Sequence, residues 1–459
     1  MSAEQVDVVV IGMGPGGEDV AGKLAEAGLA VVGIDAGLVG GECPYWGCIP
    51  SKMMIRAADL LAEGRRIPGM AGTSTVTPDW APVAARIRAE ATDDWDDTVA
   101  VERFEGKGGT FVRGRGRLVA PGQVEVEGGP TFTAARAVVL ATGTAPSIPP
   151  IEGLAATPYW TNHGAVEAEA VPESLIVLGG GAIGAELAQV FARFGAAVTV
   201  VEAADHLLPQ EEPEAGALVA DAFAADGIDV VTGVGADAVA HGADGFTVTL
   251  AGGDVRRAER LLVATGRRAD PAAVGAGVAG VAADARFVPV DEHLRVADGV
   301  WAVGDLTGRG AFTHVAMYQS AIAVADILGR PHAPADYKAL PRVTFTDPEV
   351  GSVGRTEAGA REAGITVAVG ATQVPSTARG WLHKAGNDGF VKLVADADRG
   401  VLVGATSAGP VGGEVLGLLA LAVHAEVPLA TLRTMIYAYP TFHRGVEDAL
   451  RDLDDHSGA

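Results

Sequence analysis

"VDVVVIGMGPGGEDVAGKLAEAG", residues 6–28, opens with a largely apolar, β-branched run from Val6 to Ile11, turns through Gly12-x-Gly14-x-x-Gly17 and continues with helical spacing. Asp35 closes the next apolar run, "AVVGI", 23 positions after Gly12. This is a strand–turn–helix–strand unit with a carboxylate near the expected place, roughly 20 residues on. The glycines let the backbone approach a pyrophosphate, the helix N-terminus stabilises its charge, and the carboxylate accepts from a ribose hydroxyl. One such fingerprint is a weak signal, because glycine-rich turns also serve packing. Here there are two. "SLIVLGGGAIGAELAQVFARFG", residues 174–195, repeats the layout with Gly179, Gly181 and Gly184, and Glu202 closes "AVTVV" 23 positions after Gly179. Two copies in the same context predict two dinucleotide-binding units.

A shorter pair repeats as well. "VVLATGTAPSIPPIEG" carries Thr142 and Gly143, and "LLVATGRRAD" carries Gly266. Each is an apolar strand running into a small-residue turn, placed to close its unit and return the chain over the bound nucleotide. The Pro-rich stretch from Pro146 to Pro150 reads as a linker between the units. A third strand pattern, "GVWAVGDLTG", leads to Asp305 and an apolar helix pattern, and from about Val343 the chain becomes a strand-and-helix tail.

The bulk properties narrow the function classes. At 459 residues the chain exceeds one core, which stops growing near roughly 250–300 residues, so two to four domains are expected. Apolar residues make up 48% and the net charge is −24, which fits a packed globular protein and argues against nucleic-acid or anionic-membrane binding. The N-terminus has no basic region ahead of its first strand pattern, and the longest apolar run, Val415 to Val423, is far shorter than the roughly 20 residues of a membrane span. The expectation is a cytoplasmic protein.

The only two cysteines, Cys43 and Cys48, fall in "GGECPYWGCIPSK", residues 40–52. In a reducing compartment such a pair is more often catalytic, redox or metal-binding than a structural staple. A zinc site would need four ligands, and no second Cys or His cluster offers them, so no metal is expected. Ile49-Pro50-Ser51 fits a helix start. A reactive thiolate needs its pKa brought below about 8.5, by a helix N-terminus or a nearby cation.

Taken with "VRGRGRLV", "ATGTAP", "ATGRR", "WAVGDLTG", "TFTDPEVGSVG" and "YPTFHRGVEDAL", these motifs resemble the class I pyridine nucleotide–disulfide oxidoreductases over nearly the whole chain. That family includes dihydrolipoamide dehydrogenase, glutathione reductase and mercuric reductase. The resemblance implies an α/β fold with two Rossmann-like dinucleotide-binding domains and a C-terminal α+β dimerisation domain. It divides the chain into an FAD domain (1–147 and 269–335), an NAD(H) domain (148–268) and an interface domain (336–459). It implies a homodimer with FAD and NADH as cofactors and a redox-active disulfide, acting on a small-molecule or disulfide acceptor in cell redox homeostasis. By the same resemblance Gly12, Gly14, Gly17 and Asp35 hold the adenosine diphosphate half of FAD. Asp305 binds its ribityl chain, with Thr313 and Gly116 nearby through backbone atoms. Lys52 sits near the flavin N5, and Glu186 lies near Lys52 and the nicotinamide. Gly179, Gly181, Gly184 and Glu202 hold the nicotinamide nucleotide. Cys48 faces the flavin and Cys43 the acceptor, with hydride passing from NADH through the flavin to the pair.

The departures from the family bear on the acceptor. Disulfide reductases carry a His-Pro in the C-terminal loop with a Glu five residues after the His; here Tyr439 and Arg444 stand at those places. Tyr, with a pKa near 10, is a poor base at neutral pH, whereas His, near 6.5, is a good one. His443 is the alternative base. The chain has no third cysteine to deliver a metal ion, as mercuric reductases do, and Glu42 replaces the family's usual Thr. Tyr45 and Trp46, between the cysteines, either pack or shape a pocket for a flat acceptor. Dihydrolipoamide dehydrogenase, a metal-ion or quinone reductase, and a non-enzymatic nucleotide-binding sensor are the alternatives. Glu202, followed by Ala203, Ala204 and Asp205 with no Lys or Arg, favours NADH over NADPH.

Overall fold

The computed structural model describes residues 3–457, and side chains through residue 453. Residues 1–2 and 458–459, which the sequence reading includes in its first and last domains, lie outside the described residues. The chain forms two compact units. The first is built from the chain up to Ser51, Ala85–Ser147 and Arg267–Asp336; the second from Lys52–Ala84, Ile148–Gly266 and the chain from Tyr337.

The first unit centres on an eight-stranded sheet. Strand Glu4–Ile11 pairs in parallel with Val31–Asp35 on one side and Thr131–Leu140 on the other. Thr110–Arg113 forms one edge and Val300–Ala302 continues the other side, both parallel, with Arg295–Ala297 antiparallel beyond it. A parallel sheet is covered on both faces, so its strands read as continuous apolar runs. Accordingly Val8, Val9 and Val10 are completely buried, Val8 and Val10 in one cluster and Val9 in the other. Helix Pro15–Glu26 follows the first strand, with Pro15 in its first turn, Glu18 near its positive end and Lys23 near its negative end.

The second unit holds three sheets. The second fingerprint forms the centre of a four-stranded parallel sheet ordered Asp229–Val231, Ala197–Val201, Ser174–Leu178 and Arg260–Val263. A three-stranded antiparallel sheet, Ala236–Gly242, Gly245–Leu250 and Val255–Ala258, shares a core with it. The tail forms a five-stranded antiparallel sheet from Pro341–Thr344 to Val401–Gly409. The apolar run 415–423 lies in helix Gly412–His424, and Val415, Leu416, Leu419, Ala422 and Val423 join this sheet's core. Among the described residues no helix is long and apolar enough to cross a membrane. The architecture is the α/β fold expected from the repeated fingerprint.

One buried cation ties segments of the second unit together. Arg193, only 2% exposed, donates to Asp59 at 2.8 Å, Asp226 at 3.0 Å and Asp347 at 2.7 Å. Burial still pushes Asp59 up from 3.8 to about 6, against the lowering by Arg193. Asp59 thus binds its proton more tightly in the folded state, and its contribution to stability, full below 3.8, fades as pH rises through about 6. Removing the cation leaves Asp59 and Asp226 without their ion pair and Asp347 with Arg66 alone, at 2.6 Å. Arg193→Met is expected to cost about 3–5 kcal/mol in urea unfolding at pH 8, less at pH 5 where carboxyl groups take up protons. An unchanged urea midpoint at pH 8 would show that the cluster is not structural.

Candidate active site

Both glycine turns have the same construction. Gly12 has φ +98, and a Cβ there would lie 2.4 Å from the Ala141 carbonyl oxygen. A Cβ on Gly17 would lie 1.9 Å from the Gly12 oxygen, so the helix packs on the turn with no room for a side chain. At Gly14, by contrast, a Cβ would meet nothing within 4 Å. In the second turn Gly179, φ +105, sits against the Ala264 oxygen, Gly184 would clash with the Gly179 oxygen at 2.0 Å, and Gly181 faces open space. Each helix therefore begins at a residue that makes no side-chain cap, beside an open cradle. Such a cradle suits a pyrophosphate, so the turns fit a dinucleotide.

The acidic residues are held by these turns. Asp35 accepts from the Met13 amide at 2.6 Å and the Gly37 amide at 2.7 Å. Glu202 accepts from the Gly180 amide at 2.6 Å and the Ala204 amide at 2.7 Å. A carboxylate has about four lone-pair sites, so each keeps capacity for a ribose hydroxyl. Gly143 and Gly266, φ +63 and +102, end their strands in a conformation that favours glycine, and Thr142 precedes Gly143. Gly116, with φ outside that range, is tightly packed, because Ile11 and Ile34 side-chain carbons lie 3.1 Å from where a Cβ would be.

Cys43 lies in a one-turn helix, Glu42–Tyr45, and Cys48 begins helix Cys48–Arg66; both are thiols. Cys48 Sγ is 3.4 Å from Thr313 Oγ1. Thr313 begins helix Thr313–Ile327, and the atom that meets the dithiol is its side-chain hydroxyl. Hydrogen bonding to Cys48 and then burial push the Cys43 thiol far above its ordinary range, with Thr313 pulling the other way. The sequence reading expected a lowered pKa for the reactive thiol. For Cys43 the direction is reversed, because its closest polar partner is another thiol and no cation neutralises it. A cavity of about 420 Å³ opens on Cys43 and is lined by Tyr45, Val99, Arg103, Lys107 and Met317, a size typical of small-molecule sites.

Asp305, half-buried, accepts from Thr144 Oγ1 at 2.8 Å, and burial pushes its carboxyl above the usual range. Arg267 donates to Thr144 Oγ1 at 2.8 Å and to the Thr144 carbonyl at 2.6 Å, and its other nitrogen lies 3.4 Å from Glu42. Thr144 and Arg267 lie inside the two short repeats but carried no assigned role. The antiparallel ribbon of Ala145–Pro146 with Arg267–Arg268 joins them across 123 residues, a pairing that no local pattern reveals.

In the second unit Lys52 Nζ lies 2.8 Å from Glu186 Oε2, and Glu186 is only 6% exposed. The carboxylate's other oxygen accepts from the Phe345 amide at 2.9 Å, and Lys52 stands 4.6 Å above the Phe345 ring centre. Phe345 is a further residue of this cluster that the sequence reading did not single out. Tyr439 is 70% exposed with Arg444 over its ring at 5.3 Å, and His443 is half-buried with Nε2 3.4 Å from Thr441 Oγ1. Tyr439 precedes the short helical turn Phe442–Arg444 that carries His443, and among the described residues neither pairs with a carboxylate.

The family model for pyridine nucleotide-disulphide oxidoreductases matches residues 6–320, and that for the family's dimerisation domain matches residues 340–450. The chain belongs to the pyridine nucleotide-disulphide oxidoreductase family. It is 34% identical to a mercuric reductase of Acidithiobacillus ferrooxidans over 97% of this chain and 82% of that protein. It is also 34% identical to a dihydrolipoyl dehydrogenase of Haloferax volcanii, covering 97% of this chain and 96% of the other. Among solved structures, LpdA from Mycobacterium tuberculosis superposes with a TM-score of 0.85 at 26% identity, over 98% of this chain and 100% of LpdA. The HOCl-induced flavoprotein disulfide reductase RclA from Escherichia coli gives 0.84 at 26% identity, over 97% and 99%. Members of the family bind FAD and use NAD(P)H.

The two kinds of glycine predict opposite phenotypes. Gly17→Ala places a Cβ against a backbone oxygen that no rotamer change can move, a cost of about 1–3 kcal/mol or more, read as a lowered melting temperature. Gly14→Ala, at φ −68, leaves the fold intact and lowers the ratio of bound flavin to protein. Equal flavin content in Gly14→Ala and the parent protein would show that this cradle holds no phosphate.

Proposed function

We propose that this chain is an NADH-dependent FAD oxidoreductase. It takes a hydride equivalent from NADH, reduces the Cys43–Cys48 disulfide and passes the electrons to an acceptor at Cys43. The observation that carries this reading is the paired thiols at the start of the helix that also bears Lys52, whose ammonium is 2.8 Å from the buried Glu186. Bound FAD would supply two-electron transfer between the nicotinamide and the dithiol. Gly12, Gly14, Gly17 and Asp35 hold its adenosine diphosphate half, Asp305 its ribityl chain. Thr313 orients the Cys48 sulfur. Lys52, one helical turn after Cys48, is a point charge fixed by Glu186. When the S–S bond breaks, two electrons and one proton leave Cys43 as a thiol and Cys48 as a thiolate. That distribution agrees with the raised pKa of Cys43.

The acceptor on this reading is one that needs no histidine base from the C-terminal loop, since Tyr439 and Arg444 occupy the positions of the family's His and Glu. Lipoamide-type dithiol oxidation is disfavoured accordingly. A homodimer is supported by the match to the dimerisation domain and by the exposure of Trp381 (68%), Leu421 (60%) and Ile436 (95%), large apolar residues of the second unit. Within this reading the domains keep the boundaries inferred from the sequence: FAD 1–147 and 269–335, NAD(H) 148–268, interface 336–459.

Two experiments test it. Two-electron reduction should produce a long-wavelength thiolate-to-flavin charge-transfer band that Cys48→Ser abolishes and Cys43→Ser preserves or enhances. A reduced spectrum unaffected by either substitution would separate the dithiol from the flavin. The second concerns the nucleotide. A 2′-phosphate at Glu202 meets a carboxylate already fixed by two amides, and His206, the nearest candidate cation in sequence, hydrogen-bonds the Leu207 carbonyl through Nδ1 at 2.7 Å. The repulsion is worth on the order of 1–3 kcal/mol, about ten- to a hundredfold in kcat/KM for NADH over NADPH. Glu202→Arg should shrink or reverse that ratio, and equal kcat/KM in the parent enzyme would remove Glu202 from the ribose.

A further inference from the structure

Away from the dithiol, the first unit gathers His293, Asp326 and His332, whose ligand atoms all lie within 4.8 Å of one another. His293 stands in a tight turn: Asp291 Oδ1 accepts from the amides of His293 and Arg295, each at 2.8 Å, and Leu294 has φ +66. Asp326 lies near the end of helix Thr313–Ile327, and His332 in the strap that follows it. The strap is tied back to the turn by the Ala335 amide on the Glu292 carbonyl at 2.8 Å.

The geometry of this cluster fits a cation. His332 Nδ1 is 3.0 Å from the Ala333 carbonyl oxygen, which can only accept, so Nδ1 carries a proton. The ring's other nitrogen, Nε2, lies 3.4 Å from Asp326 Oδ1. Ligands of a tetrahedral ion with bonds of about 2.0–2.1 Å stand about 3.3–3.4 Å apart, the separation seen here. A second observation is independent of the first: His293 Nδ1 is buried and has no hydrogen-bond partner. The rings of His293 and His332 are nearly perpendicular, 84°, with centres 5.1 Å apart.

Asp326 is oriented by outer donors in the way ligating carboxylates usually are. Arg295 forks onto it at 2.6 and 2.7 Å, and Trp301 Nε1 donates at 2.8 Å. The guanidinium's charge opposes a cation, but Asp291 and Asp298 act on Arg295, and Glu292 lies 3.7 Å from His293 Nε2. We propose that His293, Asp326 and His332 form a site for a borderline divalent metal ion of the zinc class, with a fourth position open to water. Two imidazoles and one carboxylate suit that class. The ion clasps the strap to the turn and anchors the far end of the helix whose first residue, Thr313, touches Cys48.

The test uses the full-length, FAD-loaded protein with its cysteine pair oxidised, so that the thiols do not take up metal. Co(II) is the optical probe and Zn(II) the competitor. One Co(II) per chain with tetrahedral visible absorbance, displaced by Zn(II), is expected, and Zn(II) should raise the melting temperature. His293→Gln and His332→Gln should each weaken binding at least about tenfold and abolish the Zn(II)-induced shift, with flavin content and NADH turnover retained. Asp326 is left intact because it also holds Arg295 and Trp301. Absence of Co(II) binding by the parent protein, or parental affinity in either histidine variant, overturns the proposal and leaves His332 as a hydrogen-bond partner of Asp326.

Discussion

The position of each helix over its strand is set by one close contact. Gly17 rests on the Gly12 carbonyl and Gly184 on the Gly179 carbonyl, both closer than any side chain permits. That contact aims a helix N-terminus at an open cradle and leaves Gly14 and Gly181 facing space. It also brings the next carboxylate, Asp35 or Glu202, onto the turn's own amides. The helix end favours a phosphate by its dipole and its uncapped amides, and on the proposed reading the carboxylate meets the ribose beyond it. In each unit the rest of the candidate chemistry is arranged around a cradle built this way.

The dithiol follows from a second constraint, chain economy near Cys48. Four residues separate the cysteines, enough to let the thiols meet, and helix Cys48–Arg66 carries Lys52 one turn further on. A lysine in that position is useful only if its charge is held. Glu186 holds it at 2.8 Å and is held in turn by the Phe345 amide, so both oxygens of the buried carboxylate are partnered. The high proton affinity of Cys43 belongs to the same logic: a thiol beside a thiol, partly buried, with no cation of its own. In this family the C-terminal loop usually supplies a base; here Arg444 covers the Tyr439 ring instead.

Legibility in the sequence tracked the range of each interaction. The two parallel sheets were readable because continuous apolar runs, glycine spacing and a terminal acid are all local. The antiparallel tail showed as a change in composition, and its apolar run 415–423 proved to be one buried helix face. Lys52 and Glu186, 134 residues apart, could be associated only through the family resemblance. The Arg267–Thr144–Asp305 chain and the role of Phe345 were invisible, since each depends on segments paired across more than a hundred residues. His293, Asp326 and His332 match no ligand spacing; only the turn and the strap bring them together. The raised pKa of Cys43 was unreadable for a different reason, because it depends on which partner the thiol meets and not on the motif.

Because Cys43 and Cys48 are the only cysteines, the destination of the electrons can be counted directly. The FAD-loaded protein, oxidised and under anaerobic conditions, is treated with one equivalent of NADH, denatured and assayed with a thiol reagent. Two new thiols per chain are expected. A bleached flavin with no new thiols would contradict the central claim, because the cysteines would then take no part in electron transfer.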